Sequence, residues 1–433
     1  MDPVLTKRIQ QSVEELKSEM IQAVSDVVKI KSVTPEFNWE PKLSNGRETA
    51  VNQYTKEILE DMGADCELFE KQTGRSNLCA RYKGAGGGKS LLFNGHVDVV
   101  PPGDIDEWNG ENPFSGRVDE EYIYGRGSVD MKGGDIAAVY ALKALQNAGI
   151  RLNGDVVFQH VVGEECKVNE AGTTACIERG YTADAAIVCE PTCFENSPFM
   201  IHIASVGIFE MKWSVKGKSC HVGMRQEVIR DGGAGASVGV DAIEKGMVIY
   251  SALKELERQW GQSKEHPLYK AGQFCINAAT VKGGIGPSFV PPNMEMSYAI
   301  TYPPQDKSED IQKEIEECVY NACQNDPWLR ENPPEITWIF NWPSFDTSQR
   351  ESICNALQCA AEMICPGAGR FNGFVAVCDA SFLQEKNIPV IVMGPGDTKF
   401  THSIDEKLSI RQLVDAAKIY ALVMADWCGV AES

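Results

Sequence analysis

The pattern of apolar and polar positions changes character along the 433-residue chain. Residues 5 to 31 and 47 to 62 place apolar side chains at helical spacing among charged ones and predict helices. "NLCARYKG" and "KSLLFNGHVDVV" are short apolar runs that predict strands, and the glycine-rich "KGAGGGK" between them predicts a hairpin turn. In "GGDIAAVYALKALQNAG", Ile136, Val139, Tyr140, Lys143 and Ala144 follow helical spacing, and Gly149 supplies a stop. "GDVVFQHVVGEE" reads as a buried strand ending in carboxylates, followed by a helix at 170 to 180. "DAAIVCEPT" is another apolar strand ending in an acid.

Near residue 198 the alternation gives way to a long strand-like run, "PFMIHIASVGIFEMKWSVKGKSCH". A helix is expected at 236 to 260, with Val240, Ile243, Met247, Tyr250, Leu253 and Trp260 on one stripe. Strands at 272 to 282 and 293 to 302 and a helix at 307 to 323 complete a β-α-β-β-α order. "NDPWLRENPPE" reads as a polar, proline-rich return linker. Beyond it, "SICNALQCAAEMIC", "NIPVIVMGPG" and a C-terminal helix at 409 to 428 resume the first pattern.

Strand–helix–strand alternation predicts an α/β fold with a sheet flanked by helices. The interruption predicts a discontinuous catalytic domain, residues 1–197 and 325–433, with an inserted domain at 198–324. A chain of this length exceeds one ordinary core, which agrees with that division.

Composition narrows the function classes. Lys and Arg total 41 against 61 Asp and Glu, a formal charge of −20, so nucleic acid is not an expected partner. No run approaches the ~18 apolar residues of a membrane span, and no membrane partner is expected. The charged amphipathic start "MDPVLTKRIQQSVEELKSEM" does not look like a secretion signal. Fifteen cysteines without a C-x-x-C pair read as reduced thiols in a cytoplasmic protein. Cys166, Cys189 and Cys220 read as small packing residues.

The polar residues collect at strand ends, where open α/β sheets bind ligands. They are His96 and Asp98, Asp130 in "GRGSVDMKGG", Glu164 and Glu165 in "VVGEEC", Glu190 in "CEPT" and His402 in "KFTHSIDE". Two of only six histidines occupy such positions. Ionised carboxylates ending apolar strands need counter-charge, because desolvating them unpaired costs several kcal/mol each. A His-plus-carboxylate set suits zinc. Two zinc ions would use two histidines and three acids, one bridging, and leave one acid as general base. Successive strand residues alternate faces, so 96 and 98 are expected on the same side, where the Asp98 carboxylate can accept the free ring N–H of His96.

In order along nearly the whole chain, "GHVDVVPPG", "GRGSVDMKGG", "VVGEE", "NEAGTTACIERGYTADAAIVCEPT" and "GPG…THSIDE" resemble one zinc-dependent family. It is the amidohydrolase and metallopeptidase family of acetylornithine deacetylase, succinyl-diaminopimelate desuccinylase, aminoacylase and glutamate carboxypeptidase. The resemblance implies a zinc-peptidase-like catalytic domain with a mixed sheet, and an inserted α+β, ferredoxin-like lid and dimerisation domain. It implies two Zn2+, with Co2+ or Mn2+ as substitutes. Asp130 would bridge them, its following peptide bond often being cis in the family. His96 and Glu190 would complete one site, and Glu165 and His402 the other. Glu164 would be the base acting on a metal-bridging water, and Asp98 would orient His96. "VKGKSCHVG" resembles the lid motif whose histidine, here His221, polarises the scissile carbonyl across a homodimer. Asn277 matches a substrate-contacting asparagine, and Gly394 and Gly396 a loop that offers backbone groups to the substrate. His160, His202 and His266 match no motif and read as structural.

The implied activity is hydrolysis of a linear amide, an N-acyl bond of a small amino-acid-like substrate, of the deacetylase or desuccinylase type. A dipeptidase or carboxypeptidase on the same scaffold is the alternative, and a non-catalytic binding protein the alternative of another class. One departure bears on the substrate. Relatives carry an arginine for the substrate carboxylate in the strand that here reads "MSYAITYPPQD", with Thr301 or Tyr302 at that place. Arg225 and Arg230, near His221, are candidate replacements.

Overall fold

The computed structural model describes residues 2–39, 47–108, 112–194, 199–230 and 238–432. The chain divides into two compact units. The first comprises Met1–Ile203, Thr347–Asn372 and Cys378–Ser433, the second Ala204–Asp346 and Gly373–Val377.

In the first unit, strands β1 (Asp65–Gln72), β2 (Arg75–Tyr82), β3 (Leu91–His96), β4 (Tyr122–Tyr124), β5 (Val156–Val161), β6 (Ala185–Val188) and β7 (Met200–Ser205) precede the second unit, into which β7 leads. Strands β12 (Val390–Val392) and β13 (Lys407–Ser409) follow it. The main sheet runs β1-β2-β5-β3-β6-β12-β7. It is mixed: β5, β3, β6 and β12 are parallel to their neighbours within that group, while β1, β2 and β7 join antiparallel. β3 is wholly buried, which explains why its Leu91-Leu92-Phe93 run shows no polar alternation. The helix Gly133–Asn147 packs against β3 and against the C-terminal helix Ile410–Trp427.

Three expectations change. The glycine-rich segment does not close a hairpin, because β5 lies between β2 and β3; β2 instead pairs with β1, a strand the apolar pattern did not reveal. The N-terminal helix is two helices, Pro3–Glu15 and Lys17–Lys29, meeting at Leu16. The helix expected at 170 to 180 is the shorter Thr173–Glu178.

The second unit holds β8 (Gly207–Lys216), β9 (Ile276–Gly283), β10 (Asn293–Tyr302) and β11 (Glu335–Trp342), antiparallel in the order β11-β8-β10-β9. Phe209, Met211, Trp213, Met294, Met296, Tyr298 and Ile300 point to one face and form its core with Ile249, Leu253 and Trp260 of the helix Ala242–Ser263 and Ile311, Ile315 and Val319 of the helix Ser308–Gln324. This β-α-β-β-α-β order is ferredoxin-like. The proline-rich segment is not a return linker: it contains the short helix Pro327–Glu331 and leads into β11, the fourth strand of this sheet. The unit therefore extends to Asp346 and takes up Gly373–Val377, beyond the limit at 324. The limit at 197/198, and residues 236–237 of the expected helix, lie outside the described residues. Among the described residues no helix is long and apolar enough to cross a membrane.

Candidate active site

The site is assembled at one end of the main sheet. Because β5, β3 and β6 are parallel neighbours, their C-terminal ends meet at one edge. β3 ends in His96, the turn after β5 delivers Glu164 and Glu165, and the segment after β6 delivers Glu190. Gly163 makes the first of these turns with φ 87°. Asp130 stands in the tight turn Ser128–Lys132 ahead of the helix Gly133–Asn147, and the Asp130–Met131 peptide bond is cis. His402 comes from the loop before β13, at φ 56°.

Asp130 faces both histidines. Its Oδ1 lies 3.1 Å from His96 Nε2 and its Oδ2 3.2 Å from His402 Nε2. His402 Nε2 is also 3.1 Å from Glu165 Oε1, and His96 Nε2 is 3.5 Å from Glu190 Oε1. Glu164 stands further off, 3.9 Å from His96 Nε2. Ligand atoms of His96, Asp130 and Glu165 all lie within 4.8 Å of one another.

The electrostatics of this cluster are those of an acid-rich site short of positive charge. Burial pushes the Glu165 carboxyl up to about 7, with the Asp130 charge adding to it. Burial and Asp130 likewise raise Glu190 to about 7. Burial holds Glu164 well above the usual carboxylate range. Burial acts on Asp130 too, yet His402 and His96 hold it below its ordinary value. His402, bonded to Asp130 and Glu165, is lifted to about 10. Burial of this many acids beside two imidazoles favours a positive charge among them.

Asp98 is placed differently from the expectation. β3 ends at His96: Val97 N–H makes the last ladder bond, to Val161 of β5, and Val99 N–H turns to Ser32, so strand alternation does not extend to 98. The His96 Nδ1 partner is the backbone carbonyl oxygen of Asp98, at 2.9 Å, whereas its carboxylate is 3.8 Å away. That carboxylate accepts instead from the N–H groups of Gly163 at 3.0 Å and Glu165 at 3.2 Å. Gly394 also departs from its expected use. Its carbonyl accepts from Thr192 N–H at 3.1 Å, and its N–H lies 3.4 Å from Thr192 Oγ1, so both backbone groups face Thr192 in the segment after β6. The Gly396 carbonyl accepts from Cys193 N–H.

Two acids beside the site escaped the sequence reading. Asp379 is buried, accepts from Thr173 Oγ1 at 2.7 Å, and is pushed up to about 6 by burial. Glu406 is fully buried behind Asp130. Its signal was present in "THSIDE", an acid in a site motif directly before a strand.

The remaining residues belong to the second unit. His221 is exposed, and its Nδ1 accepts from Gly223 N–H at 3.1 Å. Asn277 is exposed on the edge strand β9. Thr301 lies on the sheet face opposite the core and its hydroxyl is engaged with Cys275 N–H at 3.1 Å, while Tyr302 is buried and stacked on Phe209. The candidate replacement arginines are already paired, Arg225 with Asp241 at 2.9 Å and with Glu244, Arg230 with Glu227.

Residues 92–426 match the model of peptidase family M20/M25/M40. The chain belongs to this family. It is accordingly a metal-dependent amide hydrolase. Within M20, it is 33% identical over 432 residues to the N-formyl-4-amino-5-aminomethyl-2-methylpyrimidine deformylase of Halalkalibacterium halodurans, covering 96% of each chain. It is 31% identical to the protein of that name from Bacillus subtilis, covering 97% of each. Among solved structures, the aminopeptidase PepT of Bacillus cereus shares its fold, with a TM-score of 0.72 at 18% identity over 94% of this chain and 98% of the other.

Proposed function

We propose that this M20 protein hydrolyses a formyl or similarly small N-acyl amide of an amine that carries no carboxylate, with an N-formylated aminomethylpyrimidine as the model substrate. The observation that carries this reading is Thr301. Of Thr301 and Tyr302, the two residues at the place where the family resemblance puts a carboxylate-gripping arginine, Tyr302 is buried in the core and Thr301 presents a hydroxyl already engaged with Cys275 N–H. Arg225 is paired with Asp241, and Arg230, which is exposed, with Glu227. The pyrimidine named for the two deformylases carries no carboxylate, and their identity to this chain spans almost its full length.

The donor set fits two divalent ions of zinc, cobalt or manganese type. Asp130, with one oxygen toward each histidine, would bridge; His96 and Glu190 would hold one ion, and Glu165 and His402 the other. When bound, such ions polarise an amide oxygen and make water acidic near neutral pH. Glu164, the acid furthest from the histidines, is the proton acceptor for the attacking water and the donor to the leaving amine. Burial lifts its pKa, the direction a base working near neutrality requires. Because Gly223 N–H occupies Nδ1 of His221, the neutral ring carries its proton on Nε2 and can donate to an oxyanion.

We read the protein as a cytoplasmic homodimer through the second unit. Ile243 and Met247 on the helix Ala242–Ser263 and Val281 on edge strand β9 are exposed apolar residues that a second copy would cover.

The test is a substrate panel on the metal-loaded enzyme: N-formyl aminomethylpyrimidines, N-formyl and N-acetyl amino acids, N-succinyl amino acids, and dipeptides. The carboxylate-free formamides are expected to give the highest kcat/KM. A dipeptide or an N-acyl amino acid as the best substrate overturns the reading.

A further inference from the structure

Glu406 touches neither the Asp130 carboxylate nor the His402 ring, yet it gathers the loops that carry them. Its Oε1 accepts N–H groups from Gly127 at 3.0 Å, Val129 at 2.9 Å and Asp130 at 3.2 Å. Its Oε2 lies 2.5 Å from Arg126 Nη1. Arg126 Nη2 in turn donates to the carbonyl oxygen of His402 at 3.4 Å. The backbone carbonyl of Glu406 accepts from Gly125 N–H at 2.9 Å. Just outside this knot β4 pairs with β13, Lys407 opposite Tyr124. Both Arg126 and Glu406 are buried, at 2% and 0% exposure, so water does not compete for these bonds.

The two ligand-bearing positions need such an anchor. Asp130 has non-helical backbone angles of −121° and 95°, and His402 sits in the left-handed region at φ 56°. Neither belongs to a helix or strand whose own bonding would hold it. Three backbone N–H groups of the Asp130 turn converge on a single oxygen, and a carboxylate oxygen is the acceptor best suited to that load.

We propose that Glu406 and Arg126 are a positioning pair that sets Asp130 and His402 at the spacing a shared divalent cation requires, and that the accepting oxygen at 406 carries the effect. The proposal rests on the metal reading above. It goes beyond that reading by assigning a metal-affinity role to two residues that are not ligands. Partners of this kind change metal affinity by about 10- to 100-fold when lost.

The experiment uses cobalt(II) alone as probe, titrated into the metal-stripped full-length protein and followed by visible absorbance, with a thermal melt of each stripped protein. Removing one member of a buried pair strands the other charge, so the pair is changed together. Arg126→Met with Glu406→Leu removes the acceptor, whereas Arg126→Met with Glu406→Gln keeps an oxygen there. The Leu pair is expected to lose at least about tenfold in cobalt affinity and the Gln pair to stay within about threefold of the parent. A Leu pair that melts cooperatively and binds cobalt as the parent does overturns the proposal, as does a Gln pair that loses as much as the Leu pair. Should the Leu pair not melt cooperatively, the Gln pair decides alone: parental affinity supports the acceptor role, and a tenfold loss overturns it. A parent that binds no cobalt removes the metal reading itself, an outcome distinct from equal binding by parent and variants.

Discussion

The carboxylate of Asp98 holds the backbone N–H of Glu165 at 3.2 Å, across the gap between the end of β3 and the turn after β5. With its second bond, to Gly163 N–H, it fixes the turn that presents Glu164 and Glu165. The residue therefore organises its neighbour strand's acids through its side chain and His96 through its main chain.

Asp98→Ala should loosen the acid turn before it disturbs His96, whose Nδ1 partner is a backbone carbonyl that any residue supplies. Hydrogen bonds to a charged acceptor contribute ~1.5–3 kcal/mol each, so the amides of Gly163 and Glu165 should exchange faster by roughly tenfold or more. Hydrogen exchange on a peptide spanning 162–168 reads this directly. Unchanged protection there, with altered protection around His96, would reverse the assignment.

Glu164→Gln keeps the size of the side chain and removes the proton acceptor. Glu164 lies outside the 3.1–3.5 Å contacts that join His96, His402, Asp130, Glu165 and Glu190, so metal content should stay at the parental value. Turnover should fall ~10²–10⁴-fold, the usual range for loss of a general base. Metal analysis beside kcat checks both halves, and a near-parental kcat removes Glu164 from the role.

His160 reports on the buried layer beneath the site. Burial drives its pKa from the ordinary 6.5 down to about 3. In the unfolded chain the ring protonates below ~6.5, while in the folded protein it stays neutral until about pH 3. Its contribution to stability is thus present above pH 6.5 and is lost as pH falls toward 3. Asp135, raised by burial, works in the opposite sense, so the comparison must be between parent and variant. Across pH 6 to 4 the parent's stability should fall more steeply than that of His160→Leu by about one proton, ~1.4 kcal/mol per pH unit. Denaturant melts at three pH values measure it, and parallel slopes for the two proteins would show that His160 protonates freely in the folded state.

What was legible in the sequence follows from how each residue is held. His96, Glu165 and Glu190 end parallel strands, and an apolar run stopped by a metal-ligand type is visible without coordinates. Asp98 was visible as a site residue but not in its action, because β3 ends two residues before it and the chain then turns to pair Val99 with Ser32 and Val33. The hairpin between β2 and β3 was misread because sequence neighbours are usually sheet neighbours. Here β3, apolar on both faces, takes the interior place between β5 and β6. The end of the second unit was misread because prolines and charges at 325–335 look like a linker. The alternation Ile336, Trp338, Phe340, Trp342 just beyond them was the signal that a fourth strand followed. Glu406 was invisible as an anchor because its partners, the Arg126 side chain and three backbone N–H groups of residues 127–130, lie far away in sequence.

Thr301→Arg puts the substrate reading to its sharpest test. The substitution places a guanidinium on the face of β10 away from the core, at the outward-facing one of the two positions, 301 and 302, where the family resemblance calls for arginine. The Thr301 backbone bonds to Cys275 remain, and only the hydroxyl's contacts with Cys275 and Gln273 are lost, so the melting temperature should drop by a few degrees at most. A bidentate charge-assisted pair with a substrate carboxylate contributes on the order of 1.5–3 kcal/mol. The ratio of kcat/KM for an N-formyl amino acid to that for its decarboxylated amine should therefore rise about tenfold or more. The parent should prefer the amine. If the parent already prefers the amino acid, some other cation grips the carboxylate and the meaning assigned to Thr301 is lost; if the parent prefers the amine but the ratio does not move in a well-folded variant, position 301 does not reach the substrate.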